Sequence, residues 1–404
     1  MEGPRAGSRS WRISAIDATL ELLRAGAPTS SGPSPAESAD DNRGASPVSG
    51  PPPVGVGVLT EARLRQVKFS YTARRAFTHP LGGLLDGDVQ PRAGDLVLAR
   101  VDTLGQHARL ELRTGRRAHL FPGDEIVVSY GNRYAPDQFE AELPGGLGPC
   151  HLVAAGGIAS LMRSCHARMD EPTTIVPVGL LLDSDGSRLN LASWALDPPP
   201  PVTHRPHTLV IVGSTMNSGK TTTAANLIKG LVRAGRRVGA AKVTGTGAGG
   251  DVWFMSDSGA NPVLDFTAMG LASTYLAGAA VVERCFTSLH DHLAAAGVDT
   301  VVLEVADGVY QQETSSLLRS PAFAERVDGV IFAASDALGA EGAVAHMREL
   351  DLPLIAISGV VSSSPLATRE ARRACGVPVA DTAMLSDPSE VVMLIRDCEP
   401  ALAV

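Results

Sequence analysis

One stretch constrains this chain more than any other: residues 208–223 read TLVIVGSTMNSGKTTT. Its β-branched apolar start predicts a buried strand, its Gly-, Ser- and Asn-rich middle predicts a loop, and residues 221–234 have helical spacing. A Gly-Lys-Thr that ends a loop between a strand and a helix is typical of a phosphate-binding loop, or P-loop. In that arrangement, backbone N–H groups and the helix N-terminus surround the phosphates.

The residues that close this loop have specific predicted roles. Lys220 would direct a point charge toward the β- and γ-phosphates of a nucleotide, and the Thr221 hydroxyl would ligate Mg²⁺. Five residues separate Gly213 from Gly219, one more than in the usual motif. The predicted nucleotide-binding residues are Gly213, Ser214, Thr215, Asn217, Ser218, Gly219, Lys220, Thr221 and Thr222.

Composition excludes several function classes. The chain has 404 residues and a formal net charge of −8, which argues against a general nucleic-acid-binding surface. Its five cysteines are scattered without a Cys-x-x-Cys pair, which indicates reduced thiols instead of a disulfide framework. No apolar run reaches the length of a membrane span, and the N-terminus lacks an apolar signal core. We therefore expect a cytoplasmic protein without nucleic-acid or membrane partners.

The first half of the chain contains two unlike regions. Residues 1–57 combine a short amphipathic helix at 13–25 with a Pro-, Ser- and Gly-rich stretch that predicts a disordered linker. Residues 58–197 alternate short strands with Gly and Asp turns, which predicts a small β-rich or barrel-like module. Within it, residues 130–140 form either a loop that binds a ligand or partner, or a solvated loop pinned by tyrosines. The clearest predicted strands are 95–101, 108–112 and 125–130.

Two smaller features of this module have alternative interpretations. Residues 152–162 predict a small-residue turn that leads into a helix and could approach a phosphate through its backbone. Cys150-His151 and Cys165-His166 are spaced more widely than ordinary zinc ligands. Buried apolar thiols are the simpler interpretation of these pairs, and a metal site is the alternative.

The second half has a different pattern. Residues 198–206 contain four consecutive prolines and predict a stiff linker. In residues 207–404 strands and helices alternate, which predicts an α/β P-loop NTPase domain with a mostly parallel sheet covered on both faces. The predicted strands are 208–212, 238–243, 300–304, 329–334 and 353–358. The predicted helices are 221–234, 273–297, 341–350, 365–375 and 388–398.

Residues that follow two other strands are candidates to complete the site. Lys242 ends a strand that we expect beside the P-loop strand, at the carboxyl edge where open α/β sheets bind ligands. It suits a phosphate or carboxylate, the alternative being an exposed strand-end lysine. Asp251 is a candidate Mg²⁺ ligand, and Glu304 ends an apolar strand, where a buried carboxylate is costly unless it meets a cation. Weaker candidates are Asp307, a competitor of Glu304, and Asp257 and Asp265, either of which could cap a turn or helix.

These pieces together resemble the dethiobiotin synthetase family over residues 207–398. The five-residue spacing after Gly213 looks like its phosphate loop, Lys242 is similar to its substrate-and-phosphate lysine, and Glu304 is similar to its Mg²⁺-binding glutamate. Residues 330–340 resemble the loop that flanks its substrate and nucleotide. The resemblance implies catalytic roles for Lys220 and Lys242, and a metal site formed by Thr221, Asp251 and Glu304.

The departures from that family point to a relative with a different acceptor. Thr215, Met216 and Asn217 stand where dethiobiotin synthetases carry acidic residues, and the β-rich module precedes what is usually a single compact domain. The favoured hypothesis is an ATP- and Mg²⁺-dependent ligase or kinase-like enzyme that transfers the γ-phosphoryl group to a small carboxylate or carbamate, with GTP left open. The predicted partners are a small-molecule acid and a second copy of the chain in a homodimer.

Two alternative functions remain open at this point. The chain could be a nucleotide switch or a metallochaperone-like NTPase whose β module binds a protein partner. It could also bind through the β module with a degenerate NTPase half, which the intact Gly219-Lys220-Thr221 opposes.

Overall fold

The computed structural model describes residues 55–202 and 204–398. The predicted helix at 13–25 and most of the predicted linker lie outside these residues. Gly55–Gly57, which the prediction includes in the linker, form a short exposed strand that pairs antiparallel with Leu81–Asp86. The strands of the first half are β1 (Gly55–Gly57), β2 (Lys68–Phe69), β3 (Leu81–Asp86), β4 (Leu96–Thr103), β5 (Arg109–Glu111), β6 (Arg117–His119), β7 (Glu125–Tyr130), β8 (Phe139–Glu142), β9 (Cys150–Ala154), β10 (Ile158–Cys165) and β11 (Thr173–Asp183).

The pairing of these strands closes a small barrel. β4 pairs with β7, β7 with β10, β10 with β9, β9 with β11, and β11 again with β4. Side chains alternate across each strand, so Leu96 and Leu98 of β4 enter one apolar cluster while Val97 and Ala99 enter another. Both faces of β4 are therefore buried, and the predicted barrel-like module is confirmed.

The predicted helix in residues 152–162 is wrong. β9 and β10 pair antiparallel as a hairpin, with Ile158 opposite Ala154 and Ser160 opposite His151. Gly157 has φ +99°, a conformation that glycine adopts without strain, and it makes the tight turn between the strands. The run of small residues therefore forms a β-turn in place of a helix start.

The second half is a parallel α/β sheet. Its strands are β12 (His207–Gly213), β13 (Val238–Lys242), β14 (Val263–Asp265), β15 (Thr300–Glu304), β16 (Gly329–Ala333) and β17 (Leu354–Ser358). They lie in the order β14-β13-β15-β12-β16-β17, and every neighbouring pair is parallel. Strands buried on both faces are expected to be almost continuously apolar, which is why the five predicted strands are confirmed within about one residue.

Helices cover this sheet. They are α2 (Lys220–Arg233), α3 (Gly250–Asp257), α4 (Ala279–Ala295), α5 (Gln312–Leu318), α6 (Pro321–Arg326), α7 (Ala337–Glu349), α8 (Pro365–Cys375), α9 (Thr382–Ser386) and α10 (Pro388–Ile395), while α1 (Glu61–Leu64) belongs to the first half. The unpredicted helices are short and lack a sustained 3.6-residue period. The predicted 273–297 helix begins only at Ala279, because Gly278 has φ +86°. None of the helices within residues 55–202 and 204–398 has the length and apolarity that a bilayer crossing needs.

One predicted neighbour relation is wrong. β13, which ends in Lys242, does not lie beside the P-loop strand β12, because β15 lies between them. Lys242 is therefore aligned with Glu304 on one side and with Asp265 on the other. The lysine still reaches the carboxyl edge of the sheet, but as the neighbour of a carboxylate strand.

The two halves are joined by buried contacts. Tyr71, fully buried, packs in the apolar core of the second half, and its hydroxyl donates to Asp265 Oδ2 at 2.8 Å. A side chain at Gly156 of the barrel would collide with the carbonyl oxygen of Gly247, so the two backbones pack directly on each other. Buried hydrogen bonds and glycine contacts of this kind fix the barrel against the sheet.

Candidate functional site

The P-loop joins β12 to α2 at the carboxyl edge of the sheet. Gly219 caps the helix with φ +100°, and a Cβ at this position would lie 2.9 Å from Gly359 Cα, so both its conformation and its surroundings require glycine. The loop is held by backbone bonds from Ser214 N to Ala333 O at 3.1 Å and from Val360 N to Ser218 O at 2.9 Å. The extra residue of the motif lies within this pinned loop.

Several polar groups in and beside the loop have no protein partner. Ser214 Oγ, Ser218 Oγ and Glu304 Oε2 are buried and form no hydrogen bond within the described residues. Buried polar atoms are normally satisfied, so such groups indicate a ligand that supplies the missing bonds. The Lys220 side chain is buried and donates to the Thr215 carbonyl at 2.8 Å, within the same loop.

Lys220 and Thr221 face acidic groups from β15. Thr221 Oγ1 donates to Glu304 Oε1 at 3.0 Å. Burial lowers the pKa of Lys220, and the nearby charges of Glu304 and Asp307 partly oppose that effect. The predicted catalytic lysine, the predicted hydroxyl ligand and the predicted strand carboxylate thus lie together.

The second lysine lies on the other side of Glu304. Lys242 Nζ forms a salt bridge with Asp251, a residue of the first turn of α3. Burial lowers the pKa of Lys242, but the charges of Asp251 and Glu304 outweigh it and the pKa is raised above its usual value. For Asp251, burial raises the pKa, but the opposing effects, of which the charge of Lys242 is the largest, outweigh it and the pKa is lowered overall. The pair is therefore ionised.

Glu304 is the titratable acid of this group. Its side chain is almost fully buried at the end of β15. Burial, followed by the charge of Asp251, raises its pKa to about 7, against the opposing charges of Lys242 and Lys220. A carboxylate with such a pKa gains most from a cation placed beside it.

The donor set at this edge fits a hard divalent cation. Thr221 offers a hydroxyl, and Asp251 and Glu304 offer carboxylates, all oxygen donors of the kind that Mg²⁺ prefers. Mg²⁺ sites in nucleotide-binding proteins typically use only one or two carboxylates, with phosphate and water completing the shell. The unpartnered Oε2 of Glu304 is available for this role.

The weaker acid candidates have different positions. Asp307 is buried beside the cavity with φ +65°, and burial raises its pKa to about 6. Asp265 caps the turn at Phe266–Met269, accepting from Thr267 N at 3.0 Å, and also receives the Tyr71 hydroxyl. Asp257 is exposed at the end of α3, away from the cavity. Asp265 is thus structural, as its alternative interpretation predicts.

A cavity of about 790 Å³ extends from the P-loop to the barrel. That volume lies in the range of small-molecule sites. The sheet half contributes Lys220, Thr221, Lys242, Asp251, Glu304 and Asp307, together with other loop residues. The barrel half contributes His107, Arg109, Glu111, Arg117, Arg133 and Gln138, together with the hairpin residues Ala154, Ala155 and Gly156.

The loop after β7 holds the barrel against the P-loop. Asn217 Nδ2, in the P-loop, donates to Asp137 Oδ2 at 2.6 Å. Arg133 is buried, with one guanidinium nitrogen donating to the Val153 carbonyl and another to Gln138 Oε1 at 2.8 Å. Arg133 and Gln138 are thus the residues of the 130–140 segment that line the cavity, in line with the ligand-binding alternative for this segment.

His107 and Arg133 differ in charge although both are buried in this wall. Burial and the charge of Arg133 lower the pKa of His107 to about 3, so the imidazole is neutral near pH 7. Burial lowers the pKa of Arg133 only to about 10, because Asp137 and Asp307 oppose it. Of these two side chains, Arg133 is therefore the cation.

The remaining predicted sites do not come together. Cys150 is buried on β9 and Cys165 is exposed at the end of β10, while Ser160, not Cys165, is the partner of His151. No group of three or more His, Cys, Asp or Glu able to hold a metal occurs within the described residues. Residues 330–340 form the end of β16 and the start of α7, where Asp336 caps the helix by accepting from Gly339 N at 2.7 Å.

Most of the barrel residues that line the cavity carry no recognisable signal in the sequence. Arg109 and Arg117 face the P-loop only because the β5–β6 ribbon docks there, and nothing local in the sequence marks that face. Arg133 and Gln138 fall within the irregular loop that the composition does single out. The mixed chemistry of that loop is the one available signal.

Comparison with known proteins adds little to these observations. No family model matches the chain, and no curated protein sequence matches it significantly. The signal recognition particle receptor FtsY from Elizabethkingia anophelis is similar in structure, with 17% identity, 50% of this chain and 70% of that chain covered, and a TM-score of 0.34. The signal recognition particle 54 kDa protein from Aeropyrum pernix K1, solved in complex with GDP, has 18% identity over 51% of this chain and 52% of its own, with a TM-score of 0.30.

A third similar structure is a LAO/AO transport system kinase, with 15% identity, 52% of this chain and 61% of that chain covered, and a TM-score of 0.31. Likenesses at these TM-scores carry no weight in assigning the fold. The assignment follows from the strand order, the P-loop between β12 and α2, and the acidic strand end beside it. The second half of the chain therefore has a P-loop NTPase fold. The barrel half packs against it and lines part of the cavity beside the P-loop.

Proposed function

We propose that the chain is an ATP- and Mg²⁺-dependent enzyme that transfers the γ-phosphoryl group to an oxygen of a small carboxylate or carbamate. The observation that carries this proposal is the cavity of about 790 Å³ in which Lys220, Lys242 and Glu304 face the barrel. A nucleotide seated on the P-loop would direct its terminal phosphate into a space of small-molecule size. The resemblance to dethiobiotin synthetases supports the same chemistry with another acceptor.

The roles of the residues follow from their positions. Lys220 and the loop amides would bind the phosphates, and Thr221, Glu304 and Asp251 would hold Mg²⁺. Bound Mg²⁺ would neutralise phosphate charge where it develops during transfer. Lys242, kept charged by Asp251, would hold the acceptor oxygen beside the γ-phosphate. The acceptor oxygen then forms the new P–O bond as the bond to the β–γ bridging oxygen breaks, and the nucleoside diphosphate leaves with that electron pair.

A nucleotide switch is the second candidate function. The hydrogen bond from Asn217 to Asp137 favours it, because it links the P-loop directly to the barrel. Nucleotide binding that moved Asn217 would be transmitted to that loop and to any protein bound there. ATP and GTP are both compatible with the P-loop, so the nucleotide itself is part of the test.

Product analysis separates the two candidates. The protein is incubated with Mg²⁺ and with ATP or GTP labelled at the γ-phosphate. Two acceptor pools are added in separate reactions and left out of the control: small carboxylic acids, and amines with bicarbonate, which form carbamates. Hydroxylamine is added to trap acyl phosphates as hydroxamates. Acid-dependent nucleoside diphosphate formation with transfer of label supports the enzyme. Acid-independent hydrolysis that accelerates only with a protein partner would refute it and favour the switch.

A further inference from the structure

The β5–β6 ribbon presents a basic face to the cavity. Glu111 of β5 pairs directly with Arg117 of β6, and Arg109 lies two residues before Glu111 on the same side of its strand. All three residues line the cavity that the P-loop also lines. The ribbon thus aims two guanidinium groups and one carboxylate into the same space.

The two arginines of this face are not neutralised by protein groups. Neither Arg109 nor Arg117 forms a side-chain hydrogen bond or a salt bridge with any described residue, and both are exposed to the cavity side. Glu111 lies opposite Arg117 in the ribbon, but it is buried and its Oε1 accepts from Gly249 N at 3.1 Å. Together with Arg133, which lines the same cavity, these arginines give the wall a net positive charge in a chain whose net charge is −8.

Electrostatic contacts connect this face to the lysine side of the cavity. Burial raises the pKa of Glu111, and the charges of Arg117 and Asp251 act on it in opposite directions. Glu111 also accepts from Gly249 N, two residues before Asp251, so the ribbon contacts the segment that carries the Asp251–Lys242 salt bridge. Lys242, Arg109 and Arg117 also line one and the same cavity, so a single small molecule in it has both the lysine and the ribbon as neighbours.

We propose that Arg109 and Arg117 bind a second anionic group of the acceptor, so that the substrate class is a small dianionic acid such as a dicarboxylate. The inference rests on the proposed function, since it identifies the other end of the molecule whose reacting carboxylate faces Lys242. Guanidinium groups bind carboxylates through paired, charge-assisted hydrogen bonds, which gives both affinity and orientation. The ribbon then selects the acceptor, while the sheet side performs the transfer.

The nucleotide is the competing occupant of these arginines. The P-loop amides, Lys220 and Thr221 already provide the groups that bind a β/γ-phosphate pair. The ribbon belongs to the first half of the chain, whereas those groups belong to the second half, so the two sets line the cavity from different halves. An additional phosphate contact at this wall would appear as a change in nucleotide affinity, which the test measures separately.

The probes are glutarate and pentanoate, which have the same number of carbon atoms but carry two charges and one. Hydroxamate formation is measured with each acid, saturating ATP and Mg²⁺ in the full-length protein and in Arg109→Gln and Arg117→Gln. Binding of each acid is measured in parallel as a thermal shift with a non-hydrolysable ATP analogue. The matched control is Arg116→Gln, an exposed arginine of the same ribbon that does not line the cavity.

For wild type we expect glutarate to be the better substrate and the stronger stabiliser. In Arg109→Gln and Arg117→Gln, kcat/KM for glutarate should fall about 10- to 100-fold, because one charge-assisted bond is lost. The value for pentanoate should change by less than about twofold, as should every parameter of Arg116→Gln. The KM for ATP should stay at its wild-type value.

Two results would overturn the inference while leaving the proposed function intact. One is equal use of glutarate and pentanoate, with no effect of either substitution on the acid. The other is a weaker ATP affinity in Arg117→Gln, which would assign the ribbon to the nucleotide. A third result would separate the two proposals. If glutarate stabilises the wild type but not the arginine variants, and no acid gives a hydroxamate, the arginines bind an anion but the protein does not transfer a phosphoryl group to it.

Discussion

The two walls of the cavity differ in how their charges are arranged. On the sheet side, Lys242 is paired with Asp251, and Glu304 accepts from Thr221. On the barrel side, Arg109 and Arg117 have no ionic partner within the described part of the chain. The charges of the sheet side are paired with one another, which preorganises that side to bind phosphates and a metal ion. A wall of unbalanced cations requires its anion from outside, which is the property expected of an acceptor site.

Among the predictions that test the different roles of the two walls, loss of the P-loop lysine should have the largest effect on activity. Lys220→Ala should lower nucleotide-dependent turnover about 100- to 1000-fold, because a charge aimed at the transferring phosphate is removed. Lys242→Ala should instead retain nucleotide binding and lose acid-dependent transfer. The readouts are initial rates and nucleotide titrations, with Lys229→Ala on the same helix as Lys220 as the control. Full activity of Lys242→Ala would show that the acceptor does not lie at that lysine.

The pH dependence of metal binding tests the sheet wall. With its pKa at about 7, Glu304 is ionised above that pH and binds a cation, and it is protonated below it. The apparent Mg²⁺ affinity should therefore fall about tenfold from pH 8 to pH 6. Mg²⁺ titrations of nucleotide binding at both pH values measure the change, and Glu304→Gln should bind weakly at both. A wild-type affinity that stays constant over this range would remove Glu304 from the metal site.

A buried hydrogen bond between the two halves of the chain provides the third prediction. Tyr71→Phe leaves Asp265 Oδ2 without the hydroxyl that now donates to it, at a cost of about 1–3 kcal/mol in the free energy of unfolding. Urea unfolding midpoints measure that cost, and Tyr310→Phe at an exposed tyrosine is the control. If the two walls must be held in register, KM for the acid should rise more than KM for ATP. Equal changes in the two constants would show that the barrel does not position the acceptor.

The smallest effect concerns the contact between the P-loop and the barrel loop. Asp137→Ala removes the acceptor of the Asn217 amide and should weaken ATP binding about two- to fivefold, because the pinned loop becomes less preorganised. Asp185→Ala, in an exposed turn of the barrel, is the matched control. Tighter ATP binding in Asp137→Ala would mean that the bond restrains the P-loop in a conformation that opposes the nucleotide.

The sequence predicted the elements that depend on local pattern. The loop from Gly213 to Thr221 is set by residues adjacent in the chain, and the five apolar strands of the second half are recognisable because both their faces are buried. The barrel was predictable as a class from its alternating strands and turns, although its closure through β9 and β10 was not.

The order of the strands and the facing of the ribbon could not be predicted in the same way. Insertion of β15 between β13 and β12 is decided by packing among segments far apart in the chain, so Lys242 was placed beside the wrong strand. Arg109 could not be predicted to line the cavity, because a two-residue period shows which side chains share a face of a strand but not what that face packs against. The helix predicted in residues 152–162 was wrong because small residues occur both at the start of a helix and in a hairpin turn.

The direct backbone contact between Gly156 and Gly247 has a consequence for protein engineering. A Cβ at Gly156 would collide with the Gly247 carbonyl oxygen, and a Cβ at Gly247 would lie 2.6 Å from Thr72 Cγ2 and 2.9 Å from the Ala272 carbonyl oxygen, so the backbone or its neighbours must shift if either glycine is replaced. A substitution at Gly156 would require a compensating change in the loop that carries Gly247, and one at Gly247 would require a change around Thr72 and Ala272. A chimaera that grafts this barrel onto another nucleotide-binding sheet would therefore have to carry the glycine-rich loop after β13 along with it.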